Sequence, residues 1–177
     1  MTDIKSIFSH YAGNNLNKKY SIVISILSQR LTLYNKFEVD SVYTISSSKF
    51  GEGSKAGSYK TPLGAHYIKE YIGAGCDSLT TFKNRVPTKH KTKIISEKKT
   101  SKKDIICSRI LWLSGLEEGR NKGPNIDSFS RYIYIHGTNE EGLLGVKASH
   151  GCIRMSNSDI IELCEKEISN ALIYISK

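Results

Sequence analysis

The sequence predicts a mostly β fold with one clear helix near the C-terminus. Three observations carry this. Most apolar runs are rich in β-branched and aromatic residues and are cut by Gly, Asn and Ser. One of them, "RYIYIHG" at 131–137, alternates along its length. Helical spacing of apolar residues is convincing only in "NSDIIELCEKEIS" at 157–169.

The elements follow in order. Residues 1–19 form an N-terminal extension to a single domain, 20–177, a size suited to one core. Strands are expected near 21–27, 30–34 and 39–45, with turn formers at Asn35 and at Ser46 to Ser48. A glycine-punctuated loop ends in Thr61-Pro62-Leu63-Gly64, and "AHYIKEYI" is a further strand. "DIICSRILWLSG" resumes the strand pattern after a polar stretch, and "NKGPNIDSFS" is a loop. In 131–137 the isoleucines suit a core, so Tyr132, Tyr134 and His136 share the opposite face, a candidate groove. Asn157 is the expected cap of the helix, Asp159 complements its dipole, and Ile160, Ile161, Cys164 and Ile168 form its apolar stripe. "ALIYIS" closes the chain as a strand.

The chain has 177 residues, 38% of them hydrophobic, and a net charge of +9. The segment 83–103 holds nine Lys or Arg and one Glu, a local +8, which leaves +1 for the rest. Its plainest reading is a solvated loop or flap. A sharper one is an electropositive rim that draws in an acidic substrate. Stacking on single-stranded nucleic acid has no support, because no aromatic residue interleaves the charges. Cys76, Cys107, Cys152 and Cys164 form no C-x-x-C pair, so a zinc ribbon is not indicated, and four free thiols suit a reducing compartment. The first apolar run, 21–28, is too short for a membrane span. With no signal-like segment before it, the expected location is cytoplasmic, or periplasmic if a signal peptide has been removed.

Chemistry concentrates in "ASHGCIRMSN" at 148–157. A cysteine attacking an acyl group needs a base or a positive neighbour, since an ordinary thiol is only slightly ionised at neutral pH. His136 and His150 are the candidates. His150 is confined two residues from Cys152 in a tight glycine turn. His136 sits at the end of its own strand, and Gly137 lets the backbone turn sharply there so that a carbonyl can accept its other ring N–H, so His136 is the favoured base. Gly151 lets the amides of His150, Gly151 and Cys152 converge as an oxyanion nest. Arg154 is placed to hold a substrate carboxylate, and Ser149 to brace the loop. Cys76, Cys107 and Cys164 read as small buried hydrophobes. His10, His66 and His90 read as structural, although His66 follows the Thr-Pro-Leu-Gly turn and is a candidate to line the site.

Taken together, "IHGT" at 135–138 and "SHGCIRM" at 149–155 closely resemble the signature of the L,D-transpeptidase (YkuD) family. "KTPLG" at 60–64 and the opening "IVISILSQRLTLYNK" look like further landmarks of that family, and the resemblance spans nearly the whole chain from Tyr20. It implies a β-sandwich-like catalytic domain with a groove. It implies a cysteine that attacks the diaminopimelate–D-alanine carbonyl of a peptidoglycan tetrapeptide, leaving a thioester that an amine converts to a 3→3 crosslink or water to a tripeptide. Cys152 would be the nucleophile, His136 the base, Gly137 the orienting carbonyl, and His150, Gly151 and Cys152 the oxyanion donors. Tyr134, Ser149, Arg154 and His66 are the candidate substrate contacts. Carbapenems acylate this cysteine in many members. No metal or cofactor is expected, no nucleic-acid or membrane partner, and a monomer. Many members carry Asn where Arg154 stands, the spacer from His136 to Ser149 is short, and the basic segment is outside the family signature. Signal-less members with a similar "RILWL…RYIYIHGT" run act as L,D-carboxypeptidases on soluble muropeptides, and this is the expected activity. The alternatives are an exported crosslinking transpeptidase and, from another class, a non-catalytic basic binding module.

Overall fold

A computed structural model describes residues 4–101 and 104–177. Residues 1–3 of the extension, and Lys102 and Lys103 at the end of the basic segment, lie outside the described residues. In chain order the elements are α1 (Ile4–Tyr11), β1 (Tyr20–Ser25), β2 (Arg30–Asn35), β3 (Glu38–Ser46), β4 (Gly64–Ile72), β5 (Thr80–Lys83), β6 (Val86–Lys91), β7 (Ile106–Gly115), β8 (Tyr134–Thr138), β9 (Ile153–Met155), α2 (Asn157–Glu165) and β10 (Leu172–Ser176). The protein is mostly β, as its alternating runs predict.

Strand pairing runs β4-β10-β1-β2-β3-β9-β8-β7, and β7 pairs back onto β4. The two layers of the expected sandwich are therefore continuous, and these eight strands form one closed sheet. Closure leaves no free edge in the ring. β1 with β10 and β8 with β9 are the parallel pairs.

Period-2 alternation fills the interior. Ile22 and Ile24 of β1, Leu31 and Leu33 of β2, Leu111 and Leu113 of β7, and Ile173 and Ile175 of β10 are all buried in one cluster. Each such side chain contributes roughly 1.5–3 kcal/mol relative to exposure. Ile160, Leu163 and Ile168 join this cluster from the helix and the loop after it, with Cys164 partly buried against it. The predicted stripe is thus shifted: Leu163 is buried and Ile161 is only partly so. The cap is Ser156, whose side chain accepts the Asp159 amide at 3.1 Å, not Asn157.

Two elements depart from the sequence reading. The extension contains a helix: Ile4, Ile7, Phe8 and Tyr11, at helical spacing, pack with Val23, Ala65 and Leu172 on the outside of the sheet. The basic segment is not simply a loop. Its first part completes the β5–β6 hairpin, which joins β7 through Thr81 opposite Cys107. Its return limb pairs with the turn that follows β8. There the Ile95 amide donates to the Asn139 carbonyl at 2.8 Å, and the Gly142 amide to the Ile95 carbonyl at 2.9 Å.

His66 does not line a site. It is fully buried on β4, with Nδ1 donating to the Gly64 carbonyl at 3.0 Å and Nε2 accepting from the Ser128 hydroxyl at 2.9 Å. Burial lowers its pKa from 6.5 to about 4. The folded pKa is below the unfolded one, so the stabilisation is complete above pH 6.5 and is lost as pH falls towards 4. This should cost about 3 kcal/mol of folding free energy. Denaturant unfolding of wild type and His66→Gln at pH 7 and pH 4 measures it: the variant should lose less stability on acidification.

Candidate active site

β8 and β9 lie side by side with Ile135 opposite Ile153, His136 opposite Arg154 and Gly137 opposite Met155. Ile135, Ile153 and Met155 enter the core. Alternation then sends Tyr134, His136, Cys152 and Arg154 to the outer face. Cys152 packs there against a small cluster of Ile110, Trp112 and Tyr134. The face assignment made from "RYIYIHG" holds for Ile133, Tyr134, Ile135 and His136, whereas Tyr132 lies in a turn before β8 with φ +56°.

His136 is buried and its Nδ1 lies 2.8 Å from the carbonyl of Gly137. A carbonyl only accepts, so Nδ1 carries the hydrogen and Nε2 keeps the lone pair that a base needs. Burial lowers the His136 pKa, opposed by the negative charge of Asp104. The Cys152 thiol donates to the Tyr132 carbonyl at 3.4 Å. Burial pushes its pKa up to about 12, and the positive charges of Arg154 and Arg131 do not offset this. Both shifts favour a neutral imidazole beside a neutral thiol. The thiol proton must leave as the carbon–sulfur bond forms.

Gly137 has a packing role as well. A Cβ there would lie 2.6 Å from both the Cys107 carbonyl and Asn157 Oδ1. Gly137→Ala should push this strand off β7, turn the orienting carbonyl away from His136 and lower kcat by about 100-fold, since misplacement of this order is costly. Steady-state kinetics beside a thermal melt would separate that loss from unfolding.

The turn before Cys152 is held by two hydroxyls. The Ser149 hydroxyl donates to the Cys152 carbonyl at 2.6 Å and accepts the Gly151 amide at 3.3 Å. The Thr61 hydroxyl donates to the Gly151 carbonyl at 2.9 Å and accepts the Ser48 amide at 3.1 Å. This gives "KTPLG" a physical role: it clamps the peptide beside the cysteine. Gly151 has φ +125°, a conformation that other residues rarely adopt. Ser149 is fully buried, so it braces the loop, as expected, and does not contact substrate.

Arg154 is likewise not a substrate contact. It is 1% exposed, with one terminal nitrogen 2.7 Å from Glu140 Oε2 and the other 2.5 Å from Asp104 Oδ2. Only its Nε is left without a partner among the buried side-chain atoms of the described residues. Residues two apart on a strand share a face, and that is all the motif says. The two carboxylates that engage Arg154 come from the 139–142 turn and from the residue that follows the basic segment. Asp104 also lies 3.2 Å from Nδ1 of His150. Burial raises its pKa, and the charges of His136 and Arg154 outweigh that, leaving it below the ordinary value. His150 is exposed, with Phe50 and Tyr59 as ring neighbours.

Tyr134 is mostly buried. Its ring meets Trp112 edge-on at 5.5 Å, and its hydroxyl accepts from Arg85 at 3.4 Å. Asn157, expected as a helix cap, is instead a buried bracket. It accepts from Cys107 and Ser108 and donates to the Thr138 carbonyl and Glu141, tying α2 to β7 and β8. Asp104, Glu140, Thr61 and Arg85 were also missed as site residues; of these, only Thr61 sat in a recognisable motif. No cluster of three or more His, Cys, Asp or Glu able to hold a metal occurs among the described residues.

Residues 19–167 match the model of the L,D-transpeptidase catalytic domain, YkuD. No curated protein matches the sequence. Among solved structures, the L,D-transpeptidase from Mycobacterium smegmatis is 15% identical, with a TM-score of 0.52 over 90% of this chain and 59% of that one. L,D-transpeptidase 3 from Mycobacterium tuberculosis, in complex with a faropenem-derived adduct, is 15% identical, with a TM-score of 0.55 over 89% of this chain and 60% of that one. An Enterococcus faecium L,D-transpeptidase is 13% identical, with a TM-score of 0.51 over 91% and 50%. This chain thus spans three fifths or less of their lengths, and at such identity the likeness is one of fold. The family match covers most of the chain, including the strand that carries His136 and the turn that carries Cys152, and the protein belongs to the L,D-transpeptidase catalytic-domain family.

Proposed function

We propose that the protein cleaves the diaminopimelate–D-alanine bond of peptidoglycan tetrapeptides through a Cys152 thioester, acting as a cytoplasmic L,D-carboxypeptidase on soluble muropeptides. The observation that carries this is the Nδ1 bond from His136 to Gly137, which leaves Nε2 basic on the face that also holds Cys152. Cys152 Sγ attacks the diaminopimelate carbonyl while its proton passes to His136 Nε2. The developing oxyanion is met by the His150 and Cys152 amides, each such donor contributing about 3 kcal/mol, while the Gly151 amide, also expected as a donor, is already taken by the Ser149 hydroxyl. Collapse expels D-alanine, whose amine takes the proton back from His136. Water then attacks the thioester, giving its proton to His136, and the thiol leaves as tripeptide forms.

Water as acceptor is favoured by the short connection between His136 and Cys152. Its regular structure is the single turn Glu141–Leu143, which is too little to screen a thioester from solvent. The net +8 of the basic segment suits substrates with several carboxylates. The free state of all four cysteines suits a reducing compartment. The second reading, an exported transpeptidase forming 3→3 crosslinks, is favoured by the solved structures of this fold, which are named for that activity.

The test is to incubate the protein with a diaminopimelate tetrapeptide, with and without a D-amino acid, and to weigh the products. Tripeptide and free D-alanine in both cases support the carboxypeptidase. Dominant exchange or dimer products support the transpeptidase and count against the cytoplasmic assignment.

A further inference from the structure

The β5–β6 hairpin turns through two residues, Asn84 and Arg85, between the paired Lys83 and Val86. Their φ angles are +50° and +68°. A turn with both central residues left-handed favours Asn followed by Gly. Asn84 fits. Arg85 stands where glycine is preferred, and it carries the strain of that position.

What the arginine gains there is a place at the site. Its guanidinium carbon lies 4.9 Å from the centre of the Trp112 ring and 5.0 Å from that of Tyr132. One nitrogen donates to the Tyr134 hydroxyl at 3.4 Å. Trp112 and Tyr134 form the cluster against which Cys152 packs, and the Tyr132 carbonyl accepts the thiol. The arginine ion pairs among the described residues are those of Arg120 and Arg154. Arg85 has no carboxylate within that reach. A planar cation is thus held over aromatic rings beside the nucleophile, with most of its donors unengaged.

We propose that Arg85 binds a carboxylate of the acyl-donor peptide and so selects anionic substrates, a role that the sequence suggested for Arg154. This rests on the proposed tetrapeptide reaction. The two residues that flank the scissile bond each carry a carboxylate, that of the terminal D-alanine and that of the diaminopimelate side chain.

The experiment uses full-length Cys152→Ala protein, which binds without turnover, and titration calorimetry with the tetrapeptide and its two mono-amides. Arg85→Gly restores the preferred turn residue and so keeps the hairpin, while Arg85→Lys keeps the charge without the planar fork. Arg85→Gly should weaken tetrapeptide binding about tenfold, with Arg85→Lys in between. The amide lacking the recognised carboxylate should bind weakly from the start and lose nothing further with Arg85→Gly, which names the carboxylate. In the active enzyme the Arg85→Gly loss should fall on KM rather than kcat. Equal binding with and without Arg85, equal losses for all three peptides, or no tetrapeptide binding at all overturns the proposal. If binding depends on Arg85 but wild type releases no D-alanine, the reaction is wrong and the carboxylate site stands.

Discussion

Cys152→Ala should lower kcat/KM for D-alanine release by about 10^4-fold or more, because removal of a nucleophile leaves only binding and polarisation of the carbonyl. Cys152→Ser should fare little better. A hydroxyl is harder to deprotonate than a thiol, and desolvation already pushes this thiol up to about 12. The side chain is small and only partly buried, so both variants should melt close to wild type. Release of D-alanine, followed by a coupled amino-acid assay, measures the loss. Near-normal turnover in either variant would remove Cys152 from the mechanism and favour a binding module. With no standing thiolate, Cys152 should also be alkylated by iodoacetamide at pH 7 more slowly than a free model thiol.

His136→Ala should cost about 10^3-fold in kcat, the range for loss of a positioned general base. The pH profile is the finer test. Only the neutral imidazole accepts the thiol proton, and burial lowers its pKa from 6.5, so the acid limb of kcat/KM should lie below pH 6.5. Asp104 opposes that shift by favouring the charged ring. Asp104→Asn should therefore move the acid limb to still lower pH, while Asp104→Glu should leave it near its wild-type place. A larger loss from His150→Ala than from His136→Ala would reassign the base.

The sequence was most legible where chemistry follows from strand period. In "RYIYIHG" the alternation alone separates core isoleucines from site residues, and Gly137 next to His136 announces the orienting carbonyl. It was least legible where partners meet across the fold. Arg154 sits two residues from Cys152, so its face is readable, but Glu140 and Asp104 reach it from other segments and bury it. His66 was misplaced because a histidine after a glycine turn looks the same in sequence whether it faces a groove or Ser128. The β5–β6 hairpin was hidden by its turn residues: an Asn-Gly pair would have signalled the turn, and Asn84-Arg85 amid lysines looked like solvated loop. Helix α1 carries apolar residues at proper spacing, but its eight residues are too few to stand out without the sheet that they cover.

The most direct test of the account is to quench wild-type enzyme during turnover of a diaminopimelate tetrapeptide and measure its intact mass, then map the adduct by peptide digestion. The account predicts a mass gain equal to the tripeptide acyl group, located on Cys152 and absent from Cys152→Ala. It predicts a longer-lived adduct at a pH below the acid limb of the kcat/KM profile, where His136 is protonated and cannot activate water. Tripeptide formation with no adduct on Cys152 at any pH, or an adduct on another residue, would contradict it.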